Sequence, residues 1–277
     1  MSDKYAVFGN PVAHSRSPQI HAAFAAQTDE DIEYGRVLVP KDKFRETALQ
    51  FIKDEGKGLN ITLPCKKDAF AFADELTPRA QRAGAVNTLI VGPGRKILGD
   101  NTDGKGLVTD LIDNLGWSLR NKRILLLGAG GAVRGVLEPI LALRPQAVVL
   151  GNRTPATARI LATEFADLGE VSGGSYDSLH NKSAFDLIIN GTSASLDGEL
   201  PPLRTELIGE SCCCYDMMYG AEPTVFMQWA SAQGVEQVSD GLGMLVEQAA
   251  ESFSLWRGKT PSTQAVISAI REDIQKP

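Results

Sequence analysis

The chain has no tract of lysines and arginines, no cysteine pairing that would clasp a metal, and no apolar run near the roughly 20 residues that cross a bilayer. Each absence removes a class of function. Lysines and arginines number 28 against 34 aspartates and glutamates, a formal net charge of -6, which leaves no basic footprint for nucleic acid or an anionic membrane surface. The partner is therefore expected to be small. Met1 to Val12 lacks the basic-then-apolar order of a secretory signal, so a soluble cytoplasmic protein is expected. Of four cysteines, Cys212, Cys213 and Cys214 are consecutive and Cys65 is distant, so no disulfide framework is visible. The triplet is expected to fill a buried strand, since free cysteine behaves as a small hydrophobe, and reduced thiols suit the cytoplasm. His14, His21 and His180 offer no ligand spacing; no metal is expected, and His14 reads as a hydrogen-bonded loop residue. Internal repeats and low-complexity tracts are also missing.

What is present is alternation. At 277 residues and 43% hydrophobic content the chain can build two modest domains, each with its own core. Short apolar runs alternate with amphipathic stretches, the pattern of β/α layers. Strands are predicted at Tyr5 to Gly9, Tyr34 to Val39, Leu59 to Leu63, Asn87 to Val91 and Lys96 to Gly99, the last two a hairpin around Gly92-Pro93-Gly94. Helices fit at Pro18 to Gln27, Lys41 to Asp54, Lys66 to Ala73 and Pro78 to Arg82. A second series of strands follows at Arg123 to Leu127, Ala147 to Leu150, Glu170 to Ser172, Asp186 to Ile189, Cys212 to Asp216 and Glu236 to Val238, and with intervening helices this matches a doubly wound nucleotide fold. Two helices, Leu242 to Trp256 and Thr263 to Ile274, close the chain, and periodicity leaves open which domain they cover.

The apolar strand ending at Leu127 runs into Gly128-Ala129-Gly130-Gly131-Ala132-Val133 and an apolar helical pattern through Leu143. Glycines in that strand-turn-helix context let the backbone approach a pyrophosphate, whose charge meets the helix N-terminus. The sixth position, Val133, is neither Gly nor Ala and predicts looser helix packing. After the next strand an NAD enzyme would place an acidic residue; here stand Gly151-Asn152-Arg153-Thr154, offering a guanidinium to a 2'-phosphate. In the plainer reading Asn152 and Thr154 turn the chain and cap the next helix, Pro155 to Phe165, and Arg153 is solvated. Both can hold, and NADP is favoured over NAD.

In Ser15-Arg16-Ser17-Pro18, Ser17 is predicted as N-cap and Pro18 as the first helical residue; two hydroxyls there would seat a carboxylate, or form a plain cap. Asn60-Ile61-Thr62-Leu63-Pro64-Cys65-Lys66 ends the third strand at the sheet edge where open α/β folds bind ligands. Lys66 there reads as functional or as surface charge, like Lys67. Ala85-Val86-Asn87-Thr88 and Asp100-Asn101-Thr102-Asp103-Gly104 bracket the hairpin, and Asp103 is also readable as a helix cap.

Taken together and in order, SRSP, NITLPCK, AVNT, DNTDG, GAGGA, NRT, NGTS, YDMMY and DGLGMLVEQA resemble the shikimate dehydrogenase family from end to end. The resemblance implies an α/β chain of two domains. A mostly parallel substrate-binding domain over residues 1–102 is rejoined by C-terminal helices over 241–277, and a Rossmann-like, doubly wound NADP-binding domain spans 103–240. It implies that Ser15 and Ser17 bind a substrate carboxylate with Tyr219 nearby, that Thr62, Asn87, Asp103 and Gln248 bond ring hydroxyls, and that Lys66 and Asp103 form the catalytic pair. Cofactor residues implied are Gly128, Gly130, Gly131, Ala132, Asn152, Arg153, Thr154, Met217 and Gly241. Several members carry a second basic residue shortly after NRT, where this chain has Thr157.

The implied reaction is NADPH-dependent reduction of 3-dehydroshikimate to shikimate, a step toward chorismate and the aromatic amino acids. Expected partners are that ring acid and, in a homodimer, a second copy of the chain. Hydride transfer to a ketone builds negative charge on oxygen, so a positioned acid is required; Lys66 can supply it with Asp103 orienting, or Asp103 can carry the proton, because a paired Lys and Asp titrate together. An NAD-using quinate/shikimate dehydrogenase is opposed by Asn152-Arg153, a non-catalytic sensor by the presence of both Lys66 and Asp103, and a folate dehydrogenase by SRSP with NITLPCK.

Overall fold

The structure, a computed structural model, describes residues 2–181, 183–192, 194 and 198–276. The chain divides into two compact units, Met1–Gly106 with Leu245–Asp273, and Leu107–Met244 with Ile274–Pro277.

The first unit runs β1 (Asp3–Gly9), α1 (Ser17–Thr28), β2 (Ile32–Leu38), α2 (Phe44–Lys53), β3 (Gly56–Ile61), α3 (Lys66–Phe72), β4 (Glu75–Leu76), α4 (Pro78–Ala83), β5 (Thr88–Val91) and β6 (Ile97–Asp100). Its sheet has the order β2-β1-β3-β5-β6-β4. β1 pairs parallel with β2 and β3, β5 is antiparallel to both β3 and β6, and β4 lies parallel to β6. The predicted hairpin is therefore β5–β6, and Gly94 at φ 67 takes the left-handed position its turn needs. Phe8, Leu59, Ile61, Val86 and Leu89 form the core with α2, whose Phe44, Ala48 and Ile52 recur every four residues on one buried face. The sequence reading started α2 at Lys41; it starts at Phe44, because Asp42 at φ 61 holds a turn there. The two-residue β4 is defined by its pairing with β6 and is too short to show a period.

α5 (Asp103–Thr109) leads into the second unit, which comprises β7 (Arg123–Leu127), α6 (Gly131–Ala142), β8 (Ala147–Gly151), α7 (Pro155–Phe165), β9 (Val171–Gly174), β10 (Phe185–Asn190), β11 (Ile208–Asp216), α8 (Val225–Ala232) and β12 (Gln237–Asp240). All five pairings are parallel, in the order β12-β11-β10-β7-β8-β9. Read from the β9 edge and renumbered from β7, this is the doubly wound dinucleotide order. Both faces are buried, as a parallel sheet requires: Ile124 and Leu126 of β7 join one core with α6 and α7, while Leu125 and Leu127 join another with Phe226 of α8. The β9–β10 connection carries a 3-10 turn, Asp177–Asn181, where an intervening helix was expected. On β11, Cys212 and Cys214 are buried on one face and Cys213 is half-buried on the other; they and the buried Cys65 are free thiols. α9 (Leu242–Arg257) and α10 (Gln264–Gln275) end the chain, and from Leu245 to Asp273 they belong to the first unit.

Candidate active site

Lys66 is the first residue of α3. Its Nζ pairs with Oδ2 of Asp103, and the two side chains remain 22% and 10% exposed. Asp103 starts α5 without capping it: its other oxygen, Oδ1, accepts from Asn87 Nδ2 at 2.8 Å. The capping-type bond comes from Asn101, whose Oδ1 accepts from the Asp103 backbone N–H at 3.1 Å. Asn87 cannot turn its amide round, because its Oδ1 accepts from the Thr102 backbone N–H at 2.8 Å and from the Thr88 hydroxyl at 2.9 Å. Gln248 on α9 reaches the same amide, with Oε1 3.2 Å from Asn87 Nδ2.

Behind these groups lies a buried hydroxyl cluster that the sequence reading did not single out. Ser252 Oγ is 2.8 Å from Thr88 Oγ1 and 3.2 Å from Thr102 Oγ1, and it accepts from Asn60 Nδ2 at 3.0 Å. The available signal was a second polar residue four positions after Gln248 on one face of α9. Asp100 anchors the segment: Arg79 Nε and Nη2 grip its two oxygens at 2.7 and 2.6 Å, and Thr77 donates at 2.5 Å. Burial alone would raise this carboxyl, but Arg79 and Thr77 outweigh it and hold it below the usual carboxylate range.

At the other end of the sheet edge, Ser15 Oγ donates to Ser17 Oγ at 3.1 Å, and Arg36 holds the Ser15 carbonyl at 2.7 Å. Ser17 is not the N-cap that the sequence suggested. Arg16, already in αR conformation, occupies that position; α1 begins at Ser17, and the local side-chain bond runs from the Ser17 N–H to Ser15 Oγ at 3.3 Å. The cap-like acceptor has moved two residues back, because the chain enters its first helical turn before Pro18 fixes φ. His14 is exposed, and no hydrogen bond of its ring occurs among the described residues, so its expected loop bond is absent. His21 is instead fully buried, stacked on Tyr34 at 4.2 Å with Nε2 3.1 Å from Asn60 Oδ1, and burial pushes its imidazole down to about 3. Thr62 is half-buried just beyond β3, with its backbone N–H bonded to the Phe8 carbonyl at 2.9 Å.

In the second unit, Gly128 at φ 103 turns the chain out of β7, and a Cβ there would meet the Gly191 carbonyl at 3.2 Å. Gly130 and Gly131 differ: an added Cβ would meet nothing within 4 Å, so no internal packing demands glycine at either. The open space in front of the N-terminus of α6 is where a pyrophosphate would be approached by backbone N–H groups. The looser packing anticipated from Val133 does not occur. Val133 is fully buried, and the space it needs is provided across the sheet by Gly191, where a Cβ would come within 2.5 Å of Val133 Cγ2. Ala132 is half-buried beside it.

Asn152, Arg153 and Thr154 follow β8, with Arg153 exposed and Asn152 Nδ2 donating to the Thr154 carbonyl at 3.0 Å. Thr154 is the N-cap of α7 but makes no side-chain cap bond, which corrects the capping reading of its hydroxyl. Met217 is buried after β11, and Gly241 packs so closely on it that a Cβ would lie 2.2 Å from the Met217 carbonyl. Tyr219 is half-buried in the same loop. Ser193 of the NGTS segment and the side chain of His180 lie outside the described residues. Thus Lys66, Asn87, Asp103 and Gln248 meet in the first unit, Ser15 and Ser17 pair there, and the glycines with Asn152, Arg153, Thr154, Met217, Tyr219 and Gly241 belong to the second.

Residues 7–89 match the shikimate dehydrogenase substrate binding domain and residues 241–271 the shikimate 5'-dehydrogenase C-terminal domain. The NADP(+) shikimate dehydrogenase of Cellvibrio japonicus is 56% identical over 276 residues, covering 100% of this chain and 99% of that protein. The corresponding protein of Thioalkalivibrio sulfidiphilus is 54% identical over 97% of this chain and 98% of its own length. Among solved structures, an Ael1 enzyme from Pseudomonas putida superposes with a TM-score of 0.92 at 46% identity, over 100% of this chain and 99% of that one. Shikimate 5-dehydrogenase from Thermus thermophilus, in complex with NADP(H) and shikimate, gives 0.86 at 34% identity over 98% and 99% of the two chains. On these full-length identities, the chain belongs to the shikimate dehydrogenase family.

Proposed function

We propose that the chain is an NADP-dependent shikimate dehydrogenase that reduces the ketone of 3-dehydroshikimate, with Lys66 and Asp103 as its catalytic pair. The observation that carries the pair is the double engagement of Asp103, with Lys66 on one carboxylate oxygen and Asn87 on the other. Gly128, Gly130, Gly131 and Ala132 would hold NADPH, with Asn152, Arg153 and Thr154 toward its 2'-phosphate, and the cofactor would supply the hydride.

Ser15 and Ser17 bind the ring carboxylate, and Asn87, Thr62 and Gln248 orient the ring hydroxyls. As the ketone carbon is reduced, charge grows on its oxygen; Lys66 stabilises that charge and gives it a proton from Nζ. Both Asp103 oxygens act as acceptors in this arrangement, which favours Lys66 over Asp103 as the proton donor. Asp103 then orients the ammonium and, in the reverse direction, the reacting hydroxyl. Residues 1–102 with 241–277 form the substrate domain in this reading, and residues 103–240 the NADP domain. Free thiols at Cys65 and Cys212 to Cys214 suit a cytoplasmic site.

The experiment is to follow NADPH oxidation with 3-dehydroshikimate, beside NADH and quinate controls. Rapid turnover with NADPH and 3-dehydroshikimate is expected, and its absence overturns the reading. Light scattering during size exclusion tests the homodimer.

A further inference from the structure

The second unit carries an open groove of about 450 Å³ that the nucleotide loop does not use. That volume lies within the roughly 300 to 1,000 Å³ of small-molecule pockets. Its apolar wall is formed by Trp117, Leu119, Leu143 and Ile112, and its polar groups include Arg120 and Arg144, with no acidic residue in the lining. Both arginines are exposed, and neither guanidinium has an ion-pair or hydrogen-bond partner among the described residues. Ile112 is 38% exposed, a large apolar side chain left uncovered at this site.

The backbone gives an independent reason to look here. Arg144 sits just past the end of α6 at φ 55, in the left-handed region where glycine is the usual occupant. The Arg144 carbonyl accepts from the N–H of Asn121 at 3.0 Å, and Asn121, itself left-handed at φ 58, follows Arg120. One hydrogen bond between these two residues thus ties together the segments that carry both arginines.

We propose that this groove binds a small carboxylate with an apolar, ring-sized body, its carboxylate held by Arg120 and Arg144 and its body against Ile112 and Leu143. The site precedes β7, whereas the glycine loop follows it; five residues of strand put the two roughly 17 Å apart along the sheet. A ligand here does not touch the pyrophosphate loop.

The test is calorimetric titration of 3-phenylpropanoate into the full chain presaturated with shikimate alone, so that the carboxylate seat at Ser15 and Ser17 is filled without turnover. One saturable site is expected, with 3-phenylpropanamide binding at least about tenfold more weakly, or 1.4 kcal/mol. The Arg120→Gln/Arg144→Gln double variant is expected to lose at least about the same factor. Equal binding of acid and amide, unchanged affinity in the double variant, or no saturable heat up to about 10 mM overturns the proposal. The acid–amide comparison uses the unaltered chain and stands whatever the variant's stability. Incomplete filling of the shikimate seat is distinguishable, because binding at Ser15 and Ser17 would not respond to Arg120 and Arg144.

Discussion

Asn87 donates through Nδ2 to Asp103 Oδ1 at 2.8 Å, and the backbone N–H of Thr102 fixes which end of the amide does so. Asp103 therefore meets a donor on each oxygen, one neutral and one charged, before any substrate arrives. In the proposed function, a substrate hydroxyl would bond to Lys66 and Asp103, and the Asn87 bond would hold Asp103 in place while the Lys66 contact is shared with it.

Replacing Lys66 by Ala is expected to lower turnover by roughly 10² to 10⁴ while shikimate affinity changes little, the range for losing a positioned acid or base. Steady-state kinetics and a shikimate binding titration check it together. Near-normal turnover with a raised Michaelis constant would make Lys66 a binding group and remove it from the proton transfer.

Val133 and Gly191 form a packing pair that a double-mutant cycle can isolate. Gly191→Ala places a Cβ 2.5 Å from Val133 Cγ2 and 3.1 Å from Met217 Sδ, and is expected to cost about 1–3 kcal/mol through overpacking. Adding Val133→Ala should recover part of that loss by vacating the same space. Urea unfolding of the single and double variants checks this; strictly additive losses would show that the two residues do not compete for room.

Most strands of both units were legible because each carries a short apolar run bounded by turn residues, whereas the two-residue β4 was not, and the six runs of the second unit matched a doubly wound fold. The glycine loop was legible as well. The compensation of Val133 by Gly191 was not, since the two are far apart in sequence and meet only when β7 and β10 pair side by side. The position of Ser17 was misread because Ser-x-Ser-Pro fits a cap at either serine, and only the αR backbone of Arg16 decides between them. Ser252 and Thr88 resembled ordinary helix and strand residues until the fold placed them behind Asn87.

His21 makes stability depend on pH. Its imidazole is neutral in the fold, with its value pushed down to about 3 by burial, whereas the unfolded chain protonates it near 6.5. The unfolded state then binds more protons between those values, so this contribution is complete above about 6.5 and is lost as pH falls toward 3. From pH 7 to pH 5 the loss from this one group is about 2 kcal/mol. His21→Gln should be less stable at pH 7 through the lost stack on Tyr34, yet show a pH dependence smaller by about that amount. Urea unfolding at both pH values decides it, and parallel pH profiles for variant and wild type would refute a buried neutral imidazole.

Arg153 provides the sharpest test of cofactor choice. It is exposed directly after β8, with no acidic residue in Gly151-Asn152-Arg153-Thr154 to accept a ribose 2'-hydroxyl. A guanidinium pairing with a 2'-phosphate there contributes charge-assisted hydrogen bonds worth about 1.5–3 kcal/mol. Thr157, exposed in the first turn of α7, supplies no second cation, so the loss falls mostly on this one side chain. Arg153→Ala is therefore expected to raise the Michaelis constant for NADP roughly 10- to 100-fold, at 1.4 kcal/mol per decade, and to leave that for NAD nearly unchanged. Both cofactors would be assayed with wild type and variant at saturating shikimate. An equal decline with the two would mean that Arg153 supports the loop rather than reading the phosphate, and that selectivity resides in Asn152 and Thr154.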